Sequence, residues 1–207
     1  MGRWEGVAKS NEWYTPKYIF DALECEFDLD VAAPVERKHC HVPAKAFITE
    51  NSLLVDWYGF IWMNAPFGNR NGLVPWLDKI RLHNNGIALV PDRTSAPWWQ
   101  RAAKQCDAIF FINHKVRFVK PDGTTGDSPS CGTTLFAYGE IAKCAFMKAQ
   151  ANGLGIVLRR KLGYSDSGNS LIAYEPFTFY SSDQATNTLG IRWKQQSESP
   201  TMISVGR

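Results

Sequence analysis

Asn64-Ala65-Pro66-Phe67 follows directly on the short apolar run Phe60–Met63. Packing alone would continue the run, because an amide buried without partners costs roughly 1–3 kcal/mol. A chemical use explains these residue types better. The lone pair of an exocyclic base amine is delocalised into its ring, so the nitrogen is a poor nucleophile. Two acceptors on its N–H bonds would draw it towards tetrahedral geometry and aim the lone pair at a methyl donor. The Asn64 side-chain oxygen and the Ala65 backbone carbonyl are candidates for those acceptors. Pro66 would stiffen the turn, and Phe67 would stack on a base taken out of the helix. Such stacking is worth roughly 1–3 kcal/mol per base. No metal and no strong base are required, since a sulfonium donor already carries the charge that makes its methyl transferable.

Two other strand exits carry unusual residues, Asp30-Val31-Ala32-Ala33 and Pro91-Asp92-Arg93-Thr94-Ser95. Open α/β sheets bind ligands beyond the carboxyl ends of their strands, so all three stretches stand at the expected mouth of a site. Asp30 and Glu50 are twenty residues apart. That spacing suits a nucleoside site in which an acid after the next strand accepts ribose hydroxyls. The bland alternative is that both acids cap turns. His39-Cys40-His41 has metal-ligand side chains. Adjacent side chains rarely converge on one ion, and no second ligand pair stands at zinc spacing, so no metal site is expected.

The elements that must hold these residues alternate along the chain. Thr15-Pro16 reads as a helix start, the hydroxyl capping free amides and proline fitting the first turn. Ile19, Ala22 and Leu23 continue it as an apolar stripe. "FDLDVAAP" from Phe27 alternates as a strand would, "AKAFITE" from Ala44 is a weaker strand, and Phe60–Met63 suits a strand covered on both faces. Leu73, Trp76, Leu77 and Ile80 share a helical face that stops at Asn84-Asn85-Gly86. Ile87–Pro91 is a strand, Ala96–Cys106 a helix and Asp107–Asn113 a strand. Val116–Gly139 reads as two strands joined by a long polar loop, which predicts an antiparallel edge hairpin. The alternation implies an α/β fold with a largely parallel, doubly wound sheet. Beyond about Gln150 the pattern changes. "SLIAYEPFTFY" and "TLGIRWK" read as further strands whose place in the sheet the sequence leaves open.

The chain has 207 residues, enough for one domain with a sizeable core and cramped for two. Its 44% hydrophobic and 21% charged residues argue against disorder over most of the length. A net charge of +3 permits a polyanionic partner without requiring one. The eight tryptophans serve cores and base stacking alike. Five scattered cysteines, with no CxxC pair, suit a reducing compartment better than a disulfide framework. The sequence has neither a signal-peptide core nor an apolar stretch near ~20 residues. A soluble cytoplasmic protein without membrane contact is therefore expected.

An ordered series of short matches goes further. It comprises "EWYTP" at Glu12–Pro16, "FDLDVAA" at Phe27–Ala33, "FITEN" at Phe47–Asn51 and "DW" at Asp56-Trp57. "NAPFG" at Asn64–Gly68, "LVP" at Leu89–Pro91 and the hairpin through Tyr138 continue it. In this the chain resembles the phage-type DNA N6-adenine methyltransferases, which depend on S-adenosylmethionine. The resemblance covers roughly residues 10–140.

It implies a Rossmann-like class I methyltransferase fold with a catalytic domain over residues 1–150, and the strand-like runs beyond it suggest a β-rich C-terminal extension over 151–207 packed on the same domain. The resemblance further implies S-adenosylmethionine as methyl donor, double-stranded DNA as partner, and a phage or prophage protein acting in the cytoplasm of a bacterial host. The Asn-Pro-Pro-Tyr/Phe motif of amino-methyltransferases falls on Asn64, Ala65, Pro66 and Phe67. Thr15 and Pro16 match the segment near the methionine end of the donor, and Asp30, Ala32 and Ala33 match the donor-binding turn. Asn64 stands at the junction of the donor and target sites. Glu50 matches the ribose-binding acid, and Asp56-Trp57 match residues around the adenine ring. Two departures stand out: Ala65 replaces the usual first proline, and the turn "LDVAAP" lacks glycine. Arg70, Arg93, Lys115 and Arg117 flank the mouth and could meet phosphates. Cytosine N4, a protein glutamine amide, and a non-catalytic DNA-binding role on the same fold stay open as alternatives.

Overall fold

The computed structural model describes residues 13–68, 71–164 and 170–176. Helix α1 (Lys17–Leu23) leads into strands β1 (Phe27–Asp30), β2 (Ala44–Phe47) and β3 (Ile61–Met63). Helix α2 (Val74–His83), β4 (Gly86–Pro91), α3 (Pro97–Gln105) and β5 (Ala108–Ile112) follow. The order closes with β6 (Thr133–Tyr138), α4 (Glu140–Ala151), β7 (Gly155–Tyr164) and β8 (Ser170–Pro176). "TLGIRWK" and the end of "SLIAYEPFTFY" lie outside the described residues.

The described strands form one mixed sheet in the order β2-β1-β3-β4-β6-β5-β7-β8. β1 pairs in parallel with β2 and β3, and β3 with β4. β6 is antiparallel to both β4 and β5, while β7 is antiparallel to β5 and β8. Traced through these pairings, β1–β5 and β8 point one way and β6 and β7 the other. The edge hairpin expected over Val116–Gly139 is corrected here. Only Thr133–Tyr138 becomes a strand, and that strand is interior. All six residues of β6 are buried, which suits a position flanked by partners rather than an edge. The antiparallel edge is β7 with β8.

Alternate strand residues feed two cores on opposite faces of the sheet. One gathers Ile87 and Leu89 of β4 with Ile19, Phe20 and Leu23 of α1 and Phe146 of α4. The other gathers Ala88 and Val90 with Leu77 and Ile80 of α2 and Trp99 of α3. Thus α1 and α4 cover one face, and α2 and α3 the other. The alternation breaks at the start of β1, where Asp28 N and Leu29 N both donate to the Phe60 carbonyl. Phe27 accordingly joins the first core, and Leu29 and Val31 the second. Asp28 uses the irregularity: its carboxylate accepts from Phe60 N and from Lys45, both of which lower its pKa.

Candidate active site

The carboxyl ends of β1, β2 and β3 open onto one cavity of about 790 Å³. Asp30 ends β1, Glu50 lies just past β2, and Asn64 follows β3 directly; all three line it. Part of its remaining wall comes from two segments distant in sequence, the arm Trp13–Thr15 and the stretch holding Phe118 and Asp127–Ser130. Tyr14 and Val119 hold them together as an antiparallel bridge, with backbone hydrogen bonds of 2.8 and 2.9 Å. The Trp13 ring lies so close to Gly126 that a Cβ there would come within 2.6 Å of it.

Asn64 is fixed by this arm. Its Nδ2 donates to the Trp13 carbonyl at 3.2 Å and to Thr15 Oγ1 at 3.3 Å. An amide nitrogen has two N–H bonds, so the side-chain oxygen is the group left for another partner, and it can only accept. Thr15 was expected to cap α1. Instead Pro16 occupies the N-cap position, no side chain caps the helix, and the buried Thr15 hydroxyl serves Asn64. Ala65 is buried, whereas Phe67 is 41% exposed on the cavity rim. Gly68 follows with φ 55°, a left-handed conformation that glycine adopts at little cost and that turns the chain after the ring.

Asp30 is the most unusual acid of the site. Only 2% of it is exposed, and burial pushes its carboxyl up to about 7, against the Ala32 N–H that its carboxylate accepts at 3.1 Å. Ala32 and Ala33 line the cavity beside it. The turn is tied to the end of β2 by Ile48 N to the Asp30 carbonyl, 2.9 Å, and Ala33 N to the Ile48 carbonyl, 3.0 Å. Among the described lining residues three are acidic, Asp30, Glu50 and Asp127, and none is basic.

Three expected donor-site residues do not line the cavity: Pro16, Asp56 and Trp57. Pro16 is buried at the start of α1. Trp57 is buried behind the wall and acts on it at one remove. Its indole N–H lies 3.0 Å from the Ser52 carbonyl and 3.1 Å from Ser52 Oγ, and Ser52 is a lining residue. Lys79 also donates to the Ser52 carbonyl, at 2.9 Å, and stands 4.7 Å over the Trp57 ring. The residue that takes a place on the wall is Trp76, stacked on Trp57 at 6.2 Å. Trp62, Trp76 and Phe118 all line the cavity, yet in sequence their apolar surroundings read as core or loop.

Arg93, Lys115 and Arg117 are exposed and off the lining, although Lys115 donates to the carbonyl of the lining residue Ser130 at 3.3 Å. Arg70 lies outside the described residues. Among the described residues no group of three or more His, Cys, Asp or Glu side chains is placed to hold a metal ion, and no helix is long and apolar enough to cross a membrane.

A family model described as DNA N-6-adenine-methyltransferase (Dam) matches residues 6–143. The chain belongs to this family. The matched span contains every described lining residue, from Trp13 to Ser130, and stops within α4. Dam-family membership carries methylation of adenine N6 in DNA as the family activity, with DNA as the substrate. No curated protein and no solved structure matches this Dam-family chain.

Proposed function

We propose that this chain uses S-adenosylmethionine to methylate N6 of an adenine flipped out of duplex DNA, within a catalytic domain of residues 1–150 and a Rossmann-like class I fold. The observation that carries this reading is the orientation of Asn64. With both amide N–H bonds held by Trp13 and Thr15, it offers the cavity an acceptor at the end of β3. The Ala65 carbonyl supplies the second acceptor, and together they draw the N6 lone pair out of conjugation. Phe67, exposed on the rim, stacks on the extruded base.

The charge of the cavity fits the donor. S-adenosylmethionine carries a sulfonium, an ammonium and a carboxylate, a net cation, and the described lining carries three acids and no base. Asp30 and the turn through Ala33 hold its amino-acid end, and Glu50 its ribose hydroxyls. When bound, the donor supplies an electrophilic methyl: the N6–C bond forms as the S–C bond breaks, its electron pair stays on the neutral thioether, and an N6 proton leaves to water. Arg70, Arg93, Lys115 and Arg117 meet phosphates around the mouth.

The decisive experiment is product analysis. DNA treated with the protein and donor, digested to nucleosides and weighed, yields N6-methyladenine. N4-methylcytosine would keep the chemistry and move the substrate, and an unmodified product with the donor bound would end the catalytic reading. Phe67→Ala is expected to weaken target capture by about 10- to 100-fold, the equivalent of roughly 1–3 kcal/mol of stacking. Phe67→Tyr, which keeps the ring face, retains it. Steady-state kinetics on an adenine-containing duplex separates the two, and equal KM values for Phe67→Ala and wild type would remove Phe67 from the site.

A further inference from the structure

Trp62 is 1% exposed, lines the cavity, and its indole N–H has no hydrogen-bond partner. A buried donor left unpaired costs roughly 1–3 kcal/mol, so native structures keep few of them. Its position is specific. Trp62 and Asp30 are Cα partners on the parallel strands β1 and β3, so their side chains project on the same face of the sheet. A residue with a buried carboxylate and one with a buried N–H donor are therefore neighbours on that face, and both line the cavity. An α-amino acid group presents the complementary pair, an ammonium and a carboxylate. Among the described lining residues no side chain is basic, so the side-chain donors they offer a ligand carboxylate are neutral.

On the reading that the cavity holds S-adenosylmethionine, we infer that the Trp62 indole N–H donates to the α-carboxylate of the donor while Asp30 receives its ammonium. Trp62 is thus a binding residue for the amino-acid end, set in the strand that Asn64 follows. Its ring packs edge-on to Phe20 at 4.9 Å.

The test compares three ligands by calorimetry on wild type and Trp62→Phe: S-adenosylmethionine, its decarboxylated form, and 5′-methylthioadenosine, which lacks the whole amino-acid end. Trp62→Phe keeps an aromatic ring and removes the N–H. Hydrogen bonds to charged groups are worth about 1.5–3 kcal/mol, so affinity for S-adenosylmethionine should fall roughly 10- to 100-fold. Affinity for the other two should stay within about twofold of wild type. Equal weakening on all three ligands, or none on any, overturns the assignment while leaving the donor reading intact. Failure of wild type to bind any of the three overturns both. A second measurement needs no folded variant. In ¹⁵N-tryptophan-labelled wild type, one indole resonance should shift and slow its hydrogen exchange with S-adenosylmethionine but not with the decarboxylated form. Identical spectra with the two ligands would contradict the assignment.

Discussion

Asn64→Ala lowers methyl transfer by roughly 10²–10³-fold while S-adenosylmethionine binding stays within a few-fold of wild type. Losing one positioned polar group in a desolvated site typically costs this much, because its interaction strengthens as charge develops on the reacting atom. The geometry argues that Asn64 is such a group. Its nitrogen is held by the Trp13 carbonyl and Thr15 Oγ1, so the oxygen is presented without a rotameric search. Alanine removes the acceptor and leaves the arm intact, since Tyr14 still pairs with Val119. Single-turnover kinetics with donor pre-bound isolates the chemical step. A fully active Asn64→Ala would reduce the tetrapeptide to a turn. Thr15→Val should share part of the loss, and Thr15→Ser should recover it, because serine restores the hydroxyl that receives the amide.

Asp30 should make donor binding pH-dependent, with ligand-free stability running the opposite way. Burial holds its carboxyl at about 7 in the folded protein, against about 3.9 in an unfolded chain. Below pH 7 the acid is protonated, and a cationic donor must expel that proton to bind. Affinity should therefore fall about tenfold per pH unit below 7 and level off above it. Asp30→Asn should abolish that slope and weaken binding at pH 8 by about 10²-fold or more, the scale of removing one member of a buried ion pair. Stability has the reverse sign. A folded pKa raised above the unfolded value gives stability that is fully present below about pH 4 and lost as pH rises through about 7. The ligand-free protein should thus melt lower at pH 8 than at pH 5.5 from this residue alone. Asp30→Asn should raise the pH 8 melting temperature by several degrees, at roughly 2–4 °C per kcal/mol for a chain of this size. Melting and calorimetric titrations on both proteins at the two pH values check both halves. A pH-independent donor affinity would remove Asp30 from the site.

Much of this site lies at strand ends, and strand ends are what a sequence marks best. Asn64 closes a short apolar run with a polar residue, a pattern that packing does not explain and ligand binding does, and Asp30 stands at the exit of an alternating strand. The cavity wall was harder to read. Trp62 and Trp76 look like core residues because most of each ring is core, and only the tertiary structure turns one edge outward. Asp56-Trp57 misled by proximity: Trp57 shapes the wall through Ser52 instead of reaching the cavity. Helix α4 escaped notice because the strand before it was read as the end of a hairpin. Val116–Gly139 reads as two strands joined by a loop, whereas the pairing of its first half is confined to the bridges Tyr14–Val119 and Val119–Thr125. The first of these depends on the arm, which no local pattern connects to that stretch.

The bridge between Tyr14 and Val119 joins residues half the chain apart in sequence. Contacts of such separation form only after a long loop has closed, with the entropy of closure lost before the contact gives anything back. The parallel strands and α2 can gather from nearer neighbours, but the roof over Asn64 needs the arm and the segment before β6 together. Assembly of the site should therefore come late in folding, and native-state hydrogen exchange at Tyr14 and Val119 should be faster than in β3 and β4. A ligand beneath the roof ties both ends down. Limited proteolysis should accordingly cut the roof more slowly with S-adenosylmethionine present than without it.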